Sequence, residues 1–531
     1  MEKILITGAS GFLGTALYQQ MSASRQAELH VISRKEIFYP AVISHVISDY
    51  QDADRFRKLM QEIQPTVVIH AGADLDPSPG IPDTTPMVWE AAAPWMKRFV
   101  FISSIYVYAP GISPITEESA TAPWSAYGEQ KLREESFLQE AAARTGIPAL
   151  LLRLSALAGP GEPGRKASTR MLQAALDGKP VSVSDSPEQR DYIDVRDATT
   201  CILQLAVHQH PAPGASILNV CRGHGHTIGQ VFEEGIRPAL EKLPLPFTRL
   251  EIHSSKQINY ASVSNRKLLQ AMPAGFQFRP LEETLQRQLS LMIRRRFQQQ
   301  QQQDRLYSSA VLGLEKPLVD MHVHTNVTDG QHSIAEMLEA GAQAGLKRLC
   351  FTEHVRHSSD WFPRFYGEID SWRKQHPQLE VITGTESAIR TASGDIDISD
   401  AILQQSEFCM ASYHTSVKTL PQQNETDFVQ AEFECSMAAT ANPLVDVLGH
   451  PMAMSLKKKY AVPFTYFEQL ARQCARHHKI FELNLSYHED LLLPLWEMLC
   501  REGSLVSIGG NTHHKDEIAG HLNHFYSLLT P

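Results

Sequence analysis

The sequence predicts two α/β domains in tandem, each built on a parallel β-sheet that helices cover. In both halves of the chain, short apolar segments that suit buried strands alternate with helical stretches, which is typical of a parallel sheet. The 531 residues also exceed what a single hydrophobic core supports. A run of six glutamines, residues 298–303, interrupts the alternation and indicates where the two parts divide.

The glutamine run predicts the domain boundaries. A polar tract of this kind has no apolar side chains to bury, so we expect a solvated Gln-rich linker over residues 296–315. The alternative is a short helical spacer that fixes the orientation of the two parts. The first domain is then expected at residues 1–295 and the second at residues 316–531, each long enough for its own core.

Composition narrows the class of protein. Hydrophobic residues make up 43% of the chain and charged residues 20%, as in soluble globular proteins. The net charge of −10 gives no overall attraction to nucleic acid or to an anionic membrane. Seven cysteines without a Cys-x-x-Cys pair favour a reducing compartment, and neither a signal peptide nor an apolar run of about 18 residues is evident. We therefore expect a cytoplasmic protein without a membrane partner.

A glycine-rich turn near the start of the chain predicts a nucleotide cofactor. Residues 3–7 are an apolar segment typical of a buried strand, and the turn joins it to a helical stretch. Glycines permit a close approach to a pyrophosphate, while the helix N-terminus supplies N–H donors and positive potential. The residues expected at this site are Gly8, Gly11, Phe12, Leu13 and Gly14.

A tyrosine and a lysine four residues apart form a second pattern. On a helix, Tyr127 and Lys131 share one face, and the ammonium group would lower the pKa of the phenol, as a proton-transfer catalyst requires. The same spacing is common on surface helices, so by itself it is weak evidence. Upstream, however, an apolar segment ends in Ser103 and Ser104, where a hydroxyl group could orient a substrate oxygen.

Together these patterns resemble the extended short-chain dehydrogenase/reductase family, which includes nucleotide-sugar epimerases, dehydratases and reductases. The resemblance covers about residues 1–293 and is carried by TGASGFLG, VVIHAGA, SSIYVY, YGEQK, LLRLSALAGPGE and QRDYIDVRD. It implies a Rossmann-type doubly wound parallel sheet with a small substrate lobe. It also implies the following roles: catalysis by Ser104, Tyr127 and Lys131, cofactor contacts by Ala71, Tyr127 and Lys131, an adenine contact by Asp49, and binding of a substrate phosphate by Arg190. For Arg190, the alternative is a surface salt bridge with a neighbouring acid.

Two departures from that family pattern affect the cofactor and the substrate. An NAD-selective site has an acid after the second strand, but this sequence has Ser33, Arg34 and Lys35, which favour NADP(H) over NAD(H). Between Ala73 and Phe99 there is room for one helix, expected around residues 87–97 and interrupted by a proline. The family uses two helices there for substrate contact and dimerisation, so a homo-oligomer is left open.

Histidines point to metal chemistry in the second domain. Of 23 histidines, 15 lie at or after His322, and histidine is the commonest metal ligand. Seven apolar segments, most of which end in a histidine or an acid, predict a barrel-like α/β domain with its site at the C-terminal ends of the strands. Mixed imidazole and carboxylate ligands suit Mn, Fe, Zn or Mg.

This second part resembles the polymerase and histidinol phosphatase (PHP) family over about residues 317–527. The motifs HxH, DG, TEH, GTE, SYH, GHP and NTH follow one another in that order. The resemblance implies a distorted (β/α)7 PHP barrel with two or three divalent metal ions that hydrolyse phosphoesters. The implied ligands are His322, His324, Asp329, His354, Glu386, His414, His450, Asn511 and His513. Asn511 stands where the family commonly has Asp, so one metal is expected to bind more weakly.

The two resemblances together predict a bifunctional enzyme. The first domain would be an NAD(P)-dependent oxidoreductase or epimerase for a sugar or nucleotide-linked sugar, and the second a metal-dependent phosphatase. One alternative is a PHP phosphatase regulated by a catalytically silent NAD(P)-binding sensor domain. A further alternative is a phosphatase that processes nucleic-acid ends, although no basic, aromatic-interleaved groove is evident from the sequence. The expected partner is a small phosphorylated or nucleotide-linked molecule.

Overall fold

A computed structural model gives the fold of this chain. It describes residues 2–24, 27–37, 39, 41–47, 52–72, 83–111, 113–164, 166–177, 179–184, 187–208, 213–241, 250–253, 262–289, 291–292, 318–414, 424–502 and 504–529. Contacts between Cα atoms divide the chain into two compact units, Met1–Leu289 and Ser290–Pro531. The predicted linker lies outside the described residues and stays a prediction.

The first unit is built on a doubly wound parallel sheet. Its described strands are β1 (Glu2–Thr7), β2 (Ala27–Ser33), β3 (Val42–Val46), β4 (Val67–His70), β5 (Arg98–Ser104), β6 (Ala149–Leu154), β7 (Ala156–Ala158), β8 (Val181–Ser184), β9 (Gln189–Asp194), β10 (Ala215–Val220), β11 (Gly225–Thr227) and β12 (Leu250–His253). Seven of them form the main sheet in the order β10-β6-β5-β4-β1-β2-β3, and all of its pairs are parallel. The strand order reverses next to β1, and in such sheets ligands bind beyond the C-terminal ends of the strands at that point.

Helices and two small sheets complete the first unit. The described helices are α1 (Phe12–Ser24), α2 (Ala53–Ile63), α3 (Thr84–Ala92), α4 (Ala126–Thr145), α5 (Ala167–Leu176), α6 (Val195–Leu203), α7 (Ile228–Gln230), α8 (Arg237–Glu241) and α9 (Arg266–Ala271), and residues 281–289 are helical as well. The small sheets are β11-β9-β7 and β12-β8. A cluster of buried side chains from the main sheet packs against α2, α3 and α4.

The predicted Rossmann-type fold is confirmed, and the strands that the sequence did not predict lie mostly at the sheet edges. The five predicted segments are β1, β2, β4, β5 and β6, all of which have predominantly buried residues. β3 and β10 occupy the two edges of the main sheet and are partly exposed, so their sequences are less apolar. The helix expected around residues 87–97 begins and ends earlier, as α3, and it ends just before Pro94, which has no N–H to continue the helical hydrogen bonds.

The second unit is a seven-stranded parallel barrel-like sheet, and the predicted fold class is confirmed. Its strands are β13 (Val319–Val323), β14 (Arg348–Val355), β15 (Glu380–Ala388), β16 (Phe408–Ser412), β17 (Val447–Leu448), β18 (Ile480–Asn484) and β19 (Leu505–Gly509), which pair in chain order. Backbone hydrogen bonds join the first strand to the segment after the last: Thr512 donates its N–H to the His322 carbonyl, and His324 donates its N–H to the Thr512 carbonyl, both at 2.9 Å. The sheet therefore nearly closes on itself.

Helices surround this sheet and leave the C-terminal ends of the strands for the site. They are α10 (Ile334–Gln343), α11 (Phe362–Gln375), α12 (Asp400–Gln405), α13 (Glu425–Ala441), α14 (Ala453–Lys457), α15 (Phe464–Arg476), α16 (Leu492–Glu502) and α17 (Gly520–Leu528). One large apolar cluster joins the helices to the outer face of the sheet. A second, smaller cluster draws on all seven strands and fills the interior, so the strand ends are held at fixed positions.

Candidate cofactor and metal sites

The glycine-rich turn between β1 and α1 leaves no room for side chains. Gly8 has a φ of +70°, and a Cβ atom there would lie 2.6 Å from the Gly72 nitrogen and 2.7 Å from the Ala71 carbonyl. A Cβ atom on Gly14 would lie 2.2 Å from the Gly8 carbonyl oxygen, and the Gly11 N–H donates to that same oxygen at 3.0 Å. The turn is therefore a bare backbone cradle at the N-terminus of α1, which fits the pyrophosphate of a dinucleotide.

The other predicted cofactor residues have different positions relative to this cradle. Leu13 is buried, and the half-buried ring of Phe12 lies near Gly161. Arg34 is exposed directly after β2, as a side chain that contacts a ribose phosphate would be. Asp49 lies outside the described residues, so its predicted adenine contact stays a prediction.

Ser104, Tyr127 and Lys131 lie together at the end of β5 and the start of α4. Ser125 begins α4 as its N-cap, accepting a hydrogen bond from the Gly128 N–H at 3.1 Å, and this fixes the first turn that carries Tyr127. Ser104 is close enough to Tyr127 to act on the pKa of the phenol, which it lowers. The Lys131 ammonium group is buried, 4.4 Å from the centre of the Phe101 ring. The fold thus brings together the three residues that the sequence predicts.

A buried carboxylate, which the sequence reasoning missed, changes the electrostatics of this group. The Glu134 carboxylate accepts a hydrogen bond from Lys131 Nζ at 3.1 Å and another from the Thr85 hydroxyl at 2.6 Å. Burial and then the charge of Glu134 raise the pKa of Tyr127 well above its usual value. The expectation of a lowered phenol pKa was therefore wrong, because burial disfavours the phenolate and the negative charge of Glu134 adds to that effect.

Arg190 lies on β9 and is paired with an acid. Its guanidinium donates to Glu188 Oε1 at 3.1 Å, and a third of its side chain is exposed. The alternative reading of Arg190, a salt bridge with a neighbouring acid, therefore describes a contact that exists.

One carboxylate lies at the centre of the second site. Glu386, at the end of β15, is fully buried, and five imidazoles lie within 3.5 Å of its two oxygens. They are His450 (2.8 Å), His414 (3.0 Å), His354 (3.1 Å), His322 (3.4 Å) and His324 (3.5 Å). These residues come from the ends of five strands, β13 to β17, so the barrel brings them together as the motif order predicts.

Asp329 gathers the remaining predicted ligands. Its carboxylate lies 3.1 Å from Nε2 of His354, 3.3 Å from Nε2 of His513 and 3.5 Å from Nδ1 of His324. Among the described residues of this unit, three sets of donor atoms lie close enough together to hold an ion: His322, Glu386 and His450; His324, His354 and Glu386; His324, Asp329 and His513. Glu386 and His324 each belong to two of these sets.

Several donor atoms of this cluster have no hydrogen-bond partner in the described part of the chain. They are Nδ1 of His324, Nδ1 of His450 and Oε2 of Glu386, all buried. Buried polar atoms are rarely left without partners, so unpaired lone pairs at the meeting point of imidazoles and carboxylates fit divalent metal ions. This fit rests on the donor chemistry, and it leaves the identity of the metal open.

Glu482 orients two of the predicted ligands. It lies on β18, accepts a hydrogen bond from Nδ1 of His322 at 2.6 Å and another from the His450 N–H at 2.5 Å. Although burial opposes it, the carboxylates of Glu482 and Glu386 raise the pKa of His322 well above its usual value. A carboxylate on the second nitrogen of an imidazole fixes the ring and directs its other nitrogen to a metal.

Glu353 holds the loop that carries Asp329. It accepts a hydrogen bond from the Thr325 N–H at 2.6 Å and another from the Thr328 hydroxyl, and burial raises its pKa to about 7. Sequence reasoning left Glu353 out of the ligand list without assigning it a role. Its partners are backbone and hydroxyl groups of the loop, which only the folded chain brings to it.

Asn511 takes part in a contact that the sequence did not predict. Its φ is +53°, and its carbonyl accepts a hydrogen bond from Nδ1 of His513 at 2.7 Å. Its side chain is close enough to Tyr487 to act on the pKa of that hydroxyl group. The Tyr487 ring lies 5.1 Å from the His450 ring. Tyr487 therefore lies against the ligand cluster beside the uncharged Asn511.

Comparison with known protein families agrees with this division of the chain. Residues 4–221 match the model of the NAD dependent epimerase/dehydratase family, and residues 320–486 match the model of the PHP domain. The chain therefore carries an epimerase/dehydratase-family domain followed by a PHP domain. The first family uses a nicotinamide cofactor and the second uses metal ions.

Individual relatives match one domain each. A UDP-glucose 4-epimerase from Azospirillum brasilense is 23% identical over 278 residues, which cover 46% of this chain and 80% of the relative. The "Probable phosphatase" of Photobacterium profundum is 29% identical over 180 residues, which cover 32% of this chain and 64% of the relative. A crystal structure of dTDP-glucose 4,6-dehydratase from Bacillus anthracis covers 54% of this chain and 96% of its own, with 19% identity and a TM-score of 0.47.

The helices give no sign of a membrane span. Within the described ranges, we find none whose length and hydrophobicity would suffice to cross a bilayer.

Proposed function

We propose that the PHP domain is a metal-dependent phosphoesterase that acts on a small phosphorylated molecule. The observation that carries the proposal is the Glu386 carboxylate, within 3.5 Å of five imidazoles and with an oxygen that lacks a hydrogen-bond partner among the described residues. Two or three divalent ions, of Mn, Fe, Zn or Mg, would be held by the nine predicted ligands. When bound, such ions neutralise phosphoryl oxygens and activate water.

The protein groups around this cluster orient its ligands. Glu482 fixes the ring of His322 and the backbone of His450, so these two ligands need no reorganisation. Glu353 holds the loop that presents Asp329. Asn511 supplies a neutral side chain where a carboxylate would add charge, so we propose that the ion nearest to it is bound most weakly.

We further propose that the first domain binds NADP(H) rather than NAD(H). Gly8, Gly11 and Gly14 would receive the pyrophosphate, and the exposed Arg34 would contact a 2′-phosphate. The nicotinamide ring would supply hydride chemistry, while Ser104 and Tyr127 would hold and transfer a proton at a sugar hydroxyl. Arg190 would bind a phosphate of a nucleotide-linked substrate, exchanging Glu188 for it.

A second candidate for the first domain is a catalytically silent sensor of the cofactor. The ion pair of Lys131 with Glu134 favours it, because the compensated lysine does not assist ionisation of Tyr127. In this reading, cofactor binding alters the phosphatase rate, and the first domain does no chemistry. The complete set of Ser104, Tyr127 and Lys131 favours the active enzyme instead.

Phosphate release with divalent metals tests the first proposal. We expect the full chain, loaded with Mn²⁺, to release phosphate from at least one member of a panel of sugar phosphates, nucleotides and other phosphate esters. Metal content is measured on the same sample. Bound metal with no hydrolysis of any ester, with any of the four metals, would contradict the proposed activity.

Two variants of the first domain separate the active enzyme from the sensor. A Cβ atom at Gly11 would lie 3.2 Å from the Gly8 carbonyl, so Gly11→Ala is expected to weaken NADP(H) binding, measured by fluorescence. Tyr127→Phe is expected to leave cofactor binding intact and to abolish only redox or epimerase turnover. If Gly11→Ala changes the phosphatase rate while Tyr127→Phe changes no activity, the sensor is favoured.

A further inference from the structure

We infer that Lys457 and Tyr487 form a subsite for a second anionic group of the substrate, next to the metal cluster. The inference rests on the proposed phosphoesterase function and adds the class of substrate: a small phosphate ester that carries a second phosphate. We call these two residues the second-anion subsite.

Tyr487 forms the side of this subsite that faces the cluster. Its ring lies 5.1 Å from the ring of His450, one of the predicted metal ligands. The ring therefore lies against the cluster, and it is also within reach of a neighbour from another element.

Lys457 is that neighbour. It is the last residue of α14, the short helix that follows the turn carrying His450, and its Nζ lies 5.8 Å from the centre of the Tyr487 ring. The side chain is exposed, and no carboxylate of the described chain lies within salt-bridge distance of its ammonium group. Lys457 is thus a cation held beside the site by an aromatic ring, with its charge uncompensated.

Two further lysines extend the positive charge. Lys458 and Lys459 follow directly and are exposed, and Nζ of Lys458 lies 5.2 Å from the Phe428 ring and 6.0 Å from the Tyr460 ring. The chain as a whole carries a net charge of −10, so this cluster is a local exception. A positive patch at the edge of a site attracts anions and raises their local concentration.

The position of Lys457 determines which anion it would receive. The scissile phosphate would lie at the imidazole and carboxylate cluster, whereas Nζ of Lys457 lies 5.8 Å from the Tyr487 ring, which in turn lies 5.1 Å from the His450 ring. We therefore expect Lys457 to bind a different anionic group of the substrate. Its ammonium group rotates freely and needs no fixed arrangement of donors, which suits a phosphate. A bisphosphorylated sugar carries two phosphates on one small scaffold.

Matched substrate pairs test the inference. We would measure kcat and KM of the full, Mn²⁺-loaded chain for glucose 6-phosphate, glucose 1,6-bisphosphate and a short 5′-phosphorylated oligonucleotide. In Lys457→Gln, the ratio of kcat/KM for the bisphosphate to that for the monophosphate is expected to fall about fivefold to tenfold, through KM. Lys457→Arg should restore most of the ratio, and added salt should lower the ratio of the native chain.

A matched control and a binding measurement complete the test. Lys374 lies on α11 just before β15 begins, at the opposite end of the barrel, and Lys374→Gln should leave the ratio unchanged. An unchanged ratio in Lys457→Gln, or an equal fall in Lys374→Gln, would overturn the subsite. A higher kcat/KM for the oligonucleotide than for the bisphosphate, with the same dependence on Lys457, would overturn the proposal that the substrate is a small molecule. Calorimetry then measures the affinity of the native chain and of Lys457→Gln for the bisphosphate, and weaker binding by the variant is expected. This measurement tests the subsite even if no ester is hydrolysed. A lack of hydrolysis would count against the phosphoesterase function alone.

Discussion

The two candidate sites lie at equivalent places in their sheets, beyond the C-terminal ends of parallel strands, yet they differ in how their charges are balanced. In the barrel, five imidazoles surround Glu386, and buried donor atoms are still without hydrogen-bond partners in the described chain. In the doubly wound sheet, the charge of Lys131 is matched by Glu134, which is itself held by Thr85. The barrel site has capacity for added positive charge, whereas the Lys131–Glu134 ion pair is already balanced.

Residue identity therefore predicts a metal centre better than it predicts a proton-transfer pair. A metal centre needs donor types that converge, and the convergence follows from the strand order. A proton-transfer pair needs an excess of positive charge near the hydroxyl group that ionises. In this domain Glu134, a single buried carboxylate one helical turn beyond Lys131, removes that excess. The following predictions test each side of the comparison.

The largest effect is expected for Glu386→Ala. Removing the carboxylate that contacts five imidazoles should release at least one metal ion and lower phosphate release by more than about 100-fold. Metal content by mass spectrometry and phosphate release are measured on the same preparation. Glu339 is an exposed acid on α10, and Glu339→Gln is the control, which should keep its metal content and its rate of phosphate release. Full metal content in Glu386→Ala would contradict the central position that we assign to this residue.

A smaller effect is expected for Glu134→Gln in the first domain. Because burial and Glu134 raise the pKa of Tyr127, removing the charge should lower that pKa, so the phenolate forms at a lower pH than in the native chain. Absorbance of the phenolate during a pH titration measures this, with Tyr127→Phe as the blank and Glu129→Gln, exposed on the same helix, as the control. If the domain is an active enzyme, turnover near neutral pH should rise by about tenfold. A titration that does not move would contradict the role of Glu134.

The smallest effect is expected for Asn511→Asp. A carboxylate beside His513 adds a negative charge to the cluster, so the weakest of the bound ions should bind about tenfold more tightly. Metal retained after dialysis against a graded chelator measures the affinity, and Asn523→Asp on α17 is the control. Equal retention in Asn511→Asp and the native chain would contradict the weakened site.

Local periodicity and chain order were enough to predict part of this protein. The buried strands β1, β2 and β4 were predictable because their residues are mostly apolar, and Glu386 and the histidines because each lies at or just after the end of such a strand. Parallel strands bring their C-terminal ends to one edge, so residues far apart in the chain could be assigned to one site.

Which groups surround those residues depends on how distant parts of the chain pack together. Glu134 lies one turn beyond Lys131, but its burial with Thr85 of another helix depends on how α3 packs against α4. Likewise, Tyr487 and Lys457 belong to different segments and meet only because the barrel brings the ends of β17 and β18 side by side. Burial and long-range charge pairs set pKa values and charge balance, and neither quantity is a property of a local sequence window.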